Sequence, residues 1–532
     1  MRRLFLLAVA ACAFAWATGC SGGGSTTITP PPPVGFTNAS LKGTYVFSMT
    51  GTTADPNFGT SSFSRVGIFI ADGGGNIQAS GGLEDVHKFG SDNTFDITGG
   101  SYVVNSDGRG TLSLITSGGT VQYSIALASS SSGYMVDMSG GTTATDTETA
   151  SGSFQLQSAT TLGTGTYAFD FSGIAPDGTG NPVSIIGDFI PNGTGGFSVG
   201  SFWDVNEAGT LITKGIISGG SYATDLNNAG TGRGTANIGG LDFVYYVIDN
   251  QHVVLMGIDL DAAAPGTIIG EAAAQQAGTP TQTSSFNNTS FVFVVGGSST
   301  TNFLPHTRGV RLTATGGALS AILLDDNNDG VVTSIPATAN TVLNSGTVTL
   351  DGDGSGRGVF TFSENASNTF TFVFYLSSAT QGVIQDVSLT NANIVDEVAD
   401  GTLLAQTGAP FSSSSLATNY AFSSSGVSSS EEDFVGQFAP ASASPNGHVD
   451  FNEIGSASKT VFLDVAMNGV ITIGGDGTGS TGTHSTFVAN INGTPSTTIN
   501  YFAYIANPTT ILLMTGKSNA RIGAGVLTAQ TP

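Results

Sequence analysis

Three arginines stand in one recurring setting: "DGRGT" with Arg109, "GTGRGT" with Arg233 and "GSGRGV" with Arg357. A guanidinium offers several donors in a planar fork, and a glycine beside it lets other backbone approach closely. Such an arginine can hold an anion, or it can pair with a carboxylate. A matching carboxylate also recurs, in the pattern D-x-[N/H]-x-x-G. It appears as "DVHKFG" from Asp85, "DVNEAG" from Asp204, "DDNNDG" from Asp325 and "DFNEIG" from Asp450. Asp, Asn and Gly are turn formers, so the bland reading of this pattern is a hairpin turn. The expectation is an ion pair between the recurring arginines and Asp85 or Asp204. An anion site is the weaker reading, because no helix follows to offer its N-terminus. The fourth copy reads "GTGSTG", with Ser480 where arginine would fall.

Two stretches have the oxygen spacing of half a calcium loop. One is "DDNNDG", with Asp325, Asn327 and Asp329. The other is "DGDGSG", with Asp351, Asp353 and Ser355. A complete loop of that type has a bidentate Glu at position twelve. Here Pro336 and Phe362 stand there. Weak calcium binding is one expectation, and ordinary Asx turns are the other. Otherwise no cofactor is expected. The five histidines show no short ligand spacing and share no repeat position, which argues against a transition-metal site. "GFSVG", with Ser198, matches a nucleophile elbow but lies in strand-like sequence, and the chemistry needs strand, turn and helix. "GTGSTG" matches a dinucleotide fingerprint but opens no helix.

The elements that would position these residues come in four copies. Aromatic-x-Phe openers fall at Tyr45/Phe47, Tyr167/Phe169, Phe291/Phe293 and Tyr420/Phe422, spaced by 122, 124 and 129 residues. Each copy closes on G-x-x-x-x-Q, ending at Gln157, Gln275, Gln406 and Gln530. Two independent marks with one period define a repeat. Within a copy, short apolar or alternating runs such as "RVGIFIA" and "VQYSIALA" are punctuated by Gly, Asn, Asp and Ser, which reads as strands. "GEAAAQQ" has helix-forming composition but sits where other copies are strand-like. The fold class expected is all-β: four tandem antiparallel domains of about 120 residues. Each is a small up-and-down barrel, with a β-sandwich as the alternative. The predicted division is 41–158, 159–280, 281–410 and 411–532, read as beads on short connectors.

Charge narrows the partners. Beyond residue 19 the chain carries 12 basic against 38 acidic residues, a net charge of −26. Nucleic acid and anionic lipid surfaces both call for basic patches, so neither is expected as a partner. Solubility is the plain reading of the acidity.

The N-terminus "MRRLFLLAVAACAFAWATGC" has a short basic start and an apolar run too short to span a bilayer. Residues 1–19 read as a signal peptide. The stretch Ala17-Thr18-Gly19-Cys20 resembles the lipobox of bacterial lipoproteins, with Ala17 where that family usually has Leu. The resemblance implies export, cleavage before Cys20 and lipidation of Cys20, so that the membrane is a partner through the anchor. Ser21, rather than Asp, follows Cys20, which points to the outer membrane. Residues 20–40 are a Gly/Ser/Pro tether. Cys12 lies in the signal, leaving no pair for an internal disulfide.

The leading expectation is a non-enzymatic cell-envelope lipoprotein with a structural, adhesive or binding role toward a protein, glycan or small-molecule partner. The alternative is a binder of small apolar ligands inside the barrels. The third is a secreted enzyme with an unrecognised site. The state of the barrel interiors, packed or hollow, separates the first from the second.

Overall fold

In the computed structural model each copy is an antiparallel meander of eight main strands closed on itself, with the two-residue strand Asn76–Ile77 added in the first copy. The structure describes residues 35–55, 59–139, 147–258, 266–300, 302–335, 343–365, 368–389, 395, 397–428, 431–440, 444–454, 459–474, 484–493, 496–516 and 521–532. Cys20, Pro336, Ser480 and the signal peptide lie outside them. Among the described residues there is no α-helix, only three short 3-10 turns such as Asn38–Ser40.

The strands of barrel 1 run from Lys42–Asp55 to Thr147–Leu156, those of barrel 2 from Tyr167–Ile174 to Ile268–Ala274. Barrel 3 runs from Thr289–Ser299 to Glu397–Ala405, and barrel 4 from Tyr420–Val427 to Ile522–Ala529. In every barrel the first strand pairs with the last, as in Tyr45↔Leu156 and Tyr420↔Ala529. Closure removes the exposed edges that an open sheet would present. In barrels 2 and 3 the fourth strand is split, into Thr210–Ile216 with Ser221–Thr224 and Val331–Ile335 with Gly346–Leu350. The helix-like "GEAAAQQ" is strand: Ala272 and Ala274 point into the barrel, and the strand register overrides local propensity.

The glycine of each closing motif has a packing cause. A Cβ on Gly152, Gly270, Gly401 or Gly525 would lie 1.9, 1.7, 2.1 or 2.6 Å from a carbonyl oxygen of its own first strand. Only glycine lets the two seam strands approach so closely.

The opener aromatics fill the barrels. Tyr45, Tyr167 and Tyr420 are fully buried, and each hydroxyl donates to a turn carbonyl: Ser130 at 2.7 Å, Asn250 at 2.8 Å and Pro508 at 2.6 Å. Each ring stacks on a Phe of the second strand, at 5.5 Å for Tyr45/Phe69 and 5.7 Å for Tyr420/Phe438. All four interiors hold a contiguous aromatic and aliphatic core.

The barrels are not separate beads. A second set of apolar clusters lies between them. Val46, Ile68 and Leu83 of barrel 1 pack on Val244, Tyr246 and Met256 of barrel 2. Ala168 and Ile186 of barrel 2 pack on Val373 and Tyr375 of barrel 3. Val292 and Val294 of barrel 3 meet Tyr504 and Met514 of barrel 4. Ala421 and Val435 of barrel 4 then meet Ala126 and Val136 of barrel 1. Four interfaces for four barrels make a closed ring within one chain. The outward faces of these strands are apolar because a neighbouring barrel covers them.

Candidate functional site: the clamps between barrels

Each recurring arginine opens the fifth strand of its barrel, and each D-x-N aspartate lies in the third strand of the barrel before it. Arg233 of barrel 2 grips Asp85 of barrel 1 with Nε and Nη2, both at 2.8 Å. Arg357 of barrel 3 grips Asp204 of barrel 2 in the same way, both at 2.7 Å. A tyrosine of the sixth strand adds a third bond. Tyr246 donates to Asp85 at 2.5 Å and Tyr375 to Asp204 at 2.7 Å. Asp225 and Asp351 hold the far side of the two guanidiniums at 2.7 and 3.1 Å. These aspartates are strand residues, and only the end of their motif forms the turn.

A looser clamp, with Ala126 in place of the tyrosine, closes the ring. Arg109 of barrel 1 lies 3.6 Å from Asp450 of barrel 4 and 2.6 Å from Asp464, while Asp107 holds its Nε at 3.0 Å. Asp450 sits at a β-bulge, as Asp204 does, and each accepts a backbone N–H of the strand opposite. The fourth barrel has no arginine there. Its Tyr504 donates to Asp325 of barrel 3 at 2.6 Å, and His484 approaches the same carboxylate oxygen at 3.0 Å. The sequence pattern missed His484 because it stands four residues beyond Ser480.

Burial works against the charge on Arg233 and Arg357, but the hydrogen bonds and charge of Asp85 and Asp204 outweigh it and raise both pKa values. Burial, then the adjacent carboxylate, pushes the Tyr246 and Tyr375 hydroxyls far up, so both remain donors. Burial raises Asp450 despite Arg109.

The closing glutamines form a second clamp in the same direction. Gln157 donates to Thr231 and Val247 carbonyls of barrel 2 at 2.8 and 2.7 Å. Gln275 reaches Ser355 and Leu376 of barrel 3, and Gln406 reaches Ile505 of barrel 4. Gln530 returns to Asp107 and Leu127 of barrel 1 at 2.9 and 2.8 Å. The glycine before each arginine makes room. Gly108, Gly232 and Gly356 have φ of +87°, +78° and +72°, and a Cβ there would stand 2.6 to 2.7 Å from the glutamine Nε2. Gly356→Ala is therefore expected to cost about 2 kcal/mol, from backbone strain and displaced hydrogen bonds. Combining it with Gln275→Ala should cost less than the sum of the two changes, as urea titrations will show. The D-x-N asparagines add a third clamp. Asn206, Asn327 and Asn452 each donate to carbonyls of the next barrel.

The calcium-like stretches are already engaged with protein groups. Asp325 is fully buried in its clamp and Asn327 donates into barrel 4. Asp329 has φ +51° in the turn. Asp351 and Asp353 face Lys214 at 2.7 and 2.8 Å, and Asp353 accepts the Ser355 N–H as an Asx turn does. Ser198 is followed by Gly200 and a strand, not a helix.

Two charged clusters inside barrels escaped the sequence reading. In barrel 3, Arg308 bonds Asp326, Asp386 and Glu397, with His306 beside Asp326 at 2.7 Å. His306, Asp326 and Glu397 lie close enough together to hold one metal ion, although Arg308 already supplies a positive charge there. In barrel 1, Arg65 sits at the matching place against Glu84 and Tyr123, beside a polar cavity of about 250 Å³. Distant sequence positions hid both clusters.

No family model matches the chain, and no curated protein matches it. Among solved structures, kievitone hydratase from Nectria haematococca is similar at 9% identity and TM-score 0.20, over 46% of this chain and 90% of that one. A Transferrin Binding Protein B double mutant from Haemophilus parasuis, described as a vaccine antigen, is similar at 10% identity and TM-score 0.21, over 75% and 83%. A putative AttH from Nitrosomonas europaea is similar at 8% identity and TM-score 0.21, over 46% and 93%.

Proposed function

We propose that the chain is a non-enzymatic lipoprotein of the cell envelope, anchored at Cys20 and carrying a rigid four-barrel ring as a binding platform. One observation carries the reading: the polar residues that recur from copy to copy are spent on holding barrel to barrel. Asp85, Asp204, Arg233 and Arg357 meet each other across interfaces, with no substrate-sized space between them. The packed interiors favour this reading over apolar ligand sites within the barrels.

A ring presents its surface as one body, so binding would depend on fixed geometry rather than on reach. The outer membrane is the proposed address. In cells supplied with an alkynyl fatty acid, the chain is expected to take up label and to sediment with membranes. Cys20→Ser should abolish the label and release the protein. Full labelling of Cys20→Ser would refute the anchor.

A further inference from the structure

On the first strand of each barrel the residues three places after the opener are equivalent: Ser48, Asp170, Val294 and Ser423. Their cross-strand partners are Ser153, Glu271, Thr402 and Val526. Barrel 2 alone has acids at both places, directly opposite each other. Like charges in that relation repel, so the pair favours a positive group or a proton between them.

A cavity lies beside six of these residues, Ser48, Ser153, Asp170, Glu271, Thr402 and Ser423. One part, of about 260 Å³, lies between barrels 2 and 3 and is lined by Asp170, Ser172, His252, Glu271, Gln381 and Val383 among others. A second part, of about 330 Å³, is lined by Ser48, Ser151, Ser153, Tyr134 and Ser423 of barrels 1 and 4. The two share Ile269, Gly270 and Glu271. All four barrels therefore contribute, and Glu271 stands at the junction.

We propose that this axial cavity binds an elongated aliphatic ammonium ligand, a diamine or polyamine, through Glu271 and Asp170. No arginine or lysine lines either part. Asp170 Oδ1 is enclosed and receives no hydrogen bond. Glu271 is exposed and lines both parts of the cavity. Desolvation raises both carboxyls, Asp400 raises Asp170 further, and His252 offsets this at Glu271. A point cation fits less well. Among the described residues, the one His/Asp/Glu group close enough to share a metal is His306, Asp326 and Glu397, not the axial acids. An ammonium chain can instead span separated carboxylates, give N–H bonds to the serine hydroxyls and lay its methylenes on Ile269, Val383 and Tyr134. The inference depends on the ring and not on the lipid anchor, so the Cys20 experiment does not bear on it.

The test is calorimetry of the chain from residue 20 with 1,4-diaminobutane at pH 8, where the amine is cationic. Saturable binding is expected. Affinity should fall at least tenfold in Glu271→Gln and in Asp170→Asn, and stay unchanged in the distant Asp329→Asn. 1,4-Butanediol should not compete. Thermal melts verify that each variant is folded. The proposal is overturned by absence of saturable heat, by equal affinity in Glu271→Gln and Asp170→Asn, or by calcium displacing the diamine at equal stoichiometry.

Discussion

Asp204→Ala is expected to destabilise the junction of barrels 2 and 3 by about 3–5 kcal/mol, the cost of removing one partner from a buried ion pair. The loss comes less from the bonds themselves than from what remains. Arg357 keeps its charge at 5% exposure, and Tyr375, fully buried, loses its acceptor. Asp351 stays beside Arg357 but holds one nitrogen only. Replacing both members, as Asp204→Leu with Arg357→Met, should recover much of the loss, since no charge is then stranded. Trp203 is the one tryptophan beyond the signal peptide and packs against the core of barrel 2, so its fluorescence in urea reports the unfolding of that barrel. A change below about 1 kcal/mol for Asp204→Ala would mean that the clamp behaves as a solvated surface pair.

Asp433→Asn is expected to stabilise the protein at pH 7.5 by about 3 kcal/mol, and to do nothing below about pH 4. Asp433 is fully buried on barrel 4, between barrel 1 residues and Glu431. Burial pushes its carboxyl up to about 6 from an ordinary 3.8, and Lys459 only partly offsets this. The raised value means that the folded state holds the proton more tightly than the unfolded chain. The resulting stability is complete below the unfolded pKa, declines as pH rises toward about 6, and is gone above it. Asparagine keeps the neutral form at every pH and so removes this slope. Asp400, also pushed up to about 6 by burial, adds a parallel slope at the junction of barrels 2 and 3. Melting temperatures between pH 4 and 8 measure both. A wild-type protein more stable at pH 8 than at pH 5, with Asp433→Asn unchanged, would contradict the assignment.

These two residues also mark how far the sequence could be read. The repeat period, the strand content and the closed meander were all visible, because opener, closer and turn residues recur at fixed offsets. The recurrence of Arg109, Arg233 and Arg357 pointed to a pairing, and "GxxxxQ" and "DxN" were visible as marks. The partners' location was hidden. Alternation tells which side of a strand faces away from its own core, but not whether water or another barrel covers that side. Val46, Ala168 and Tyr504 are such positions, and they form the interfaces. Asp433 sat in the run "EEDF", which reads as a solvated acidic patch; strand register instead buries it against barrel 1. The tandem copies suggested beads because connectors are short in either arrangement, and ring closure depends on contacts some 400 residues apart, such as Gln530 with Asp107.

That closure is the central claim, and one covalent link tests it. Ser129 of barrel 1 pairs in parallel fashion with Thr531 at the C-terminus. Beyond residue 19 Cys20 is the one native cysteine. The chain from residue 20 with Cys20→Ser, Ser129→Cys and Thr531→Cys should form an intrachain disulfide on mild oxidation. The expected product is a monomer of increased mobility on a non-reducing gel, with either single cysteine variant giving none. Free thiols throughout, or covalent dimers alone, would contradict a ring closed within one chain.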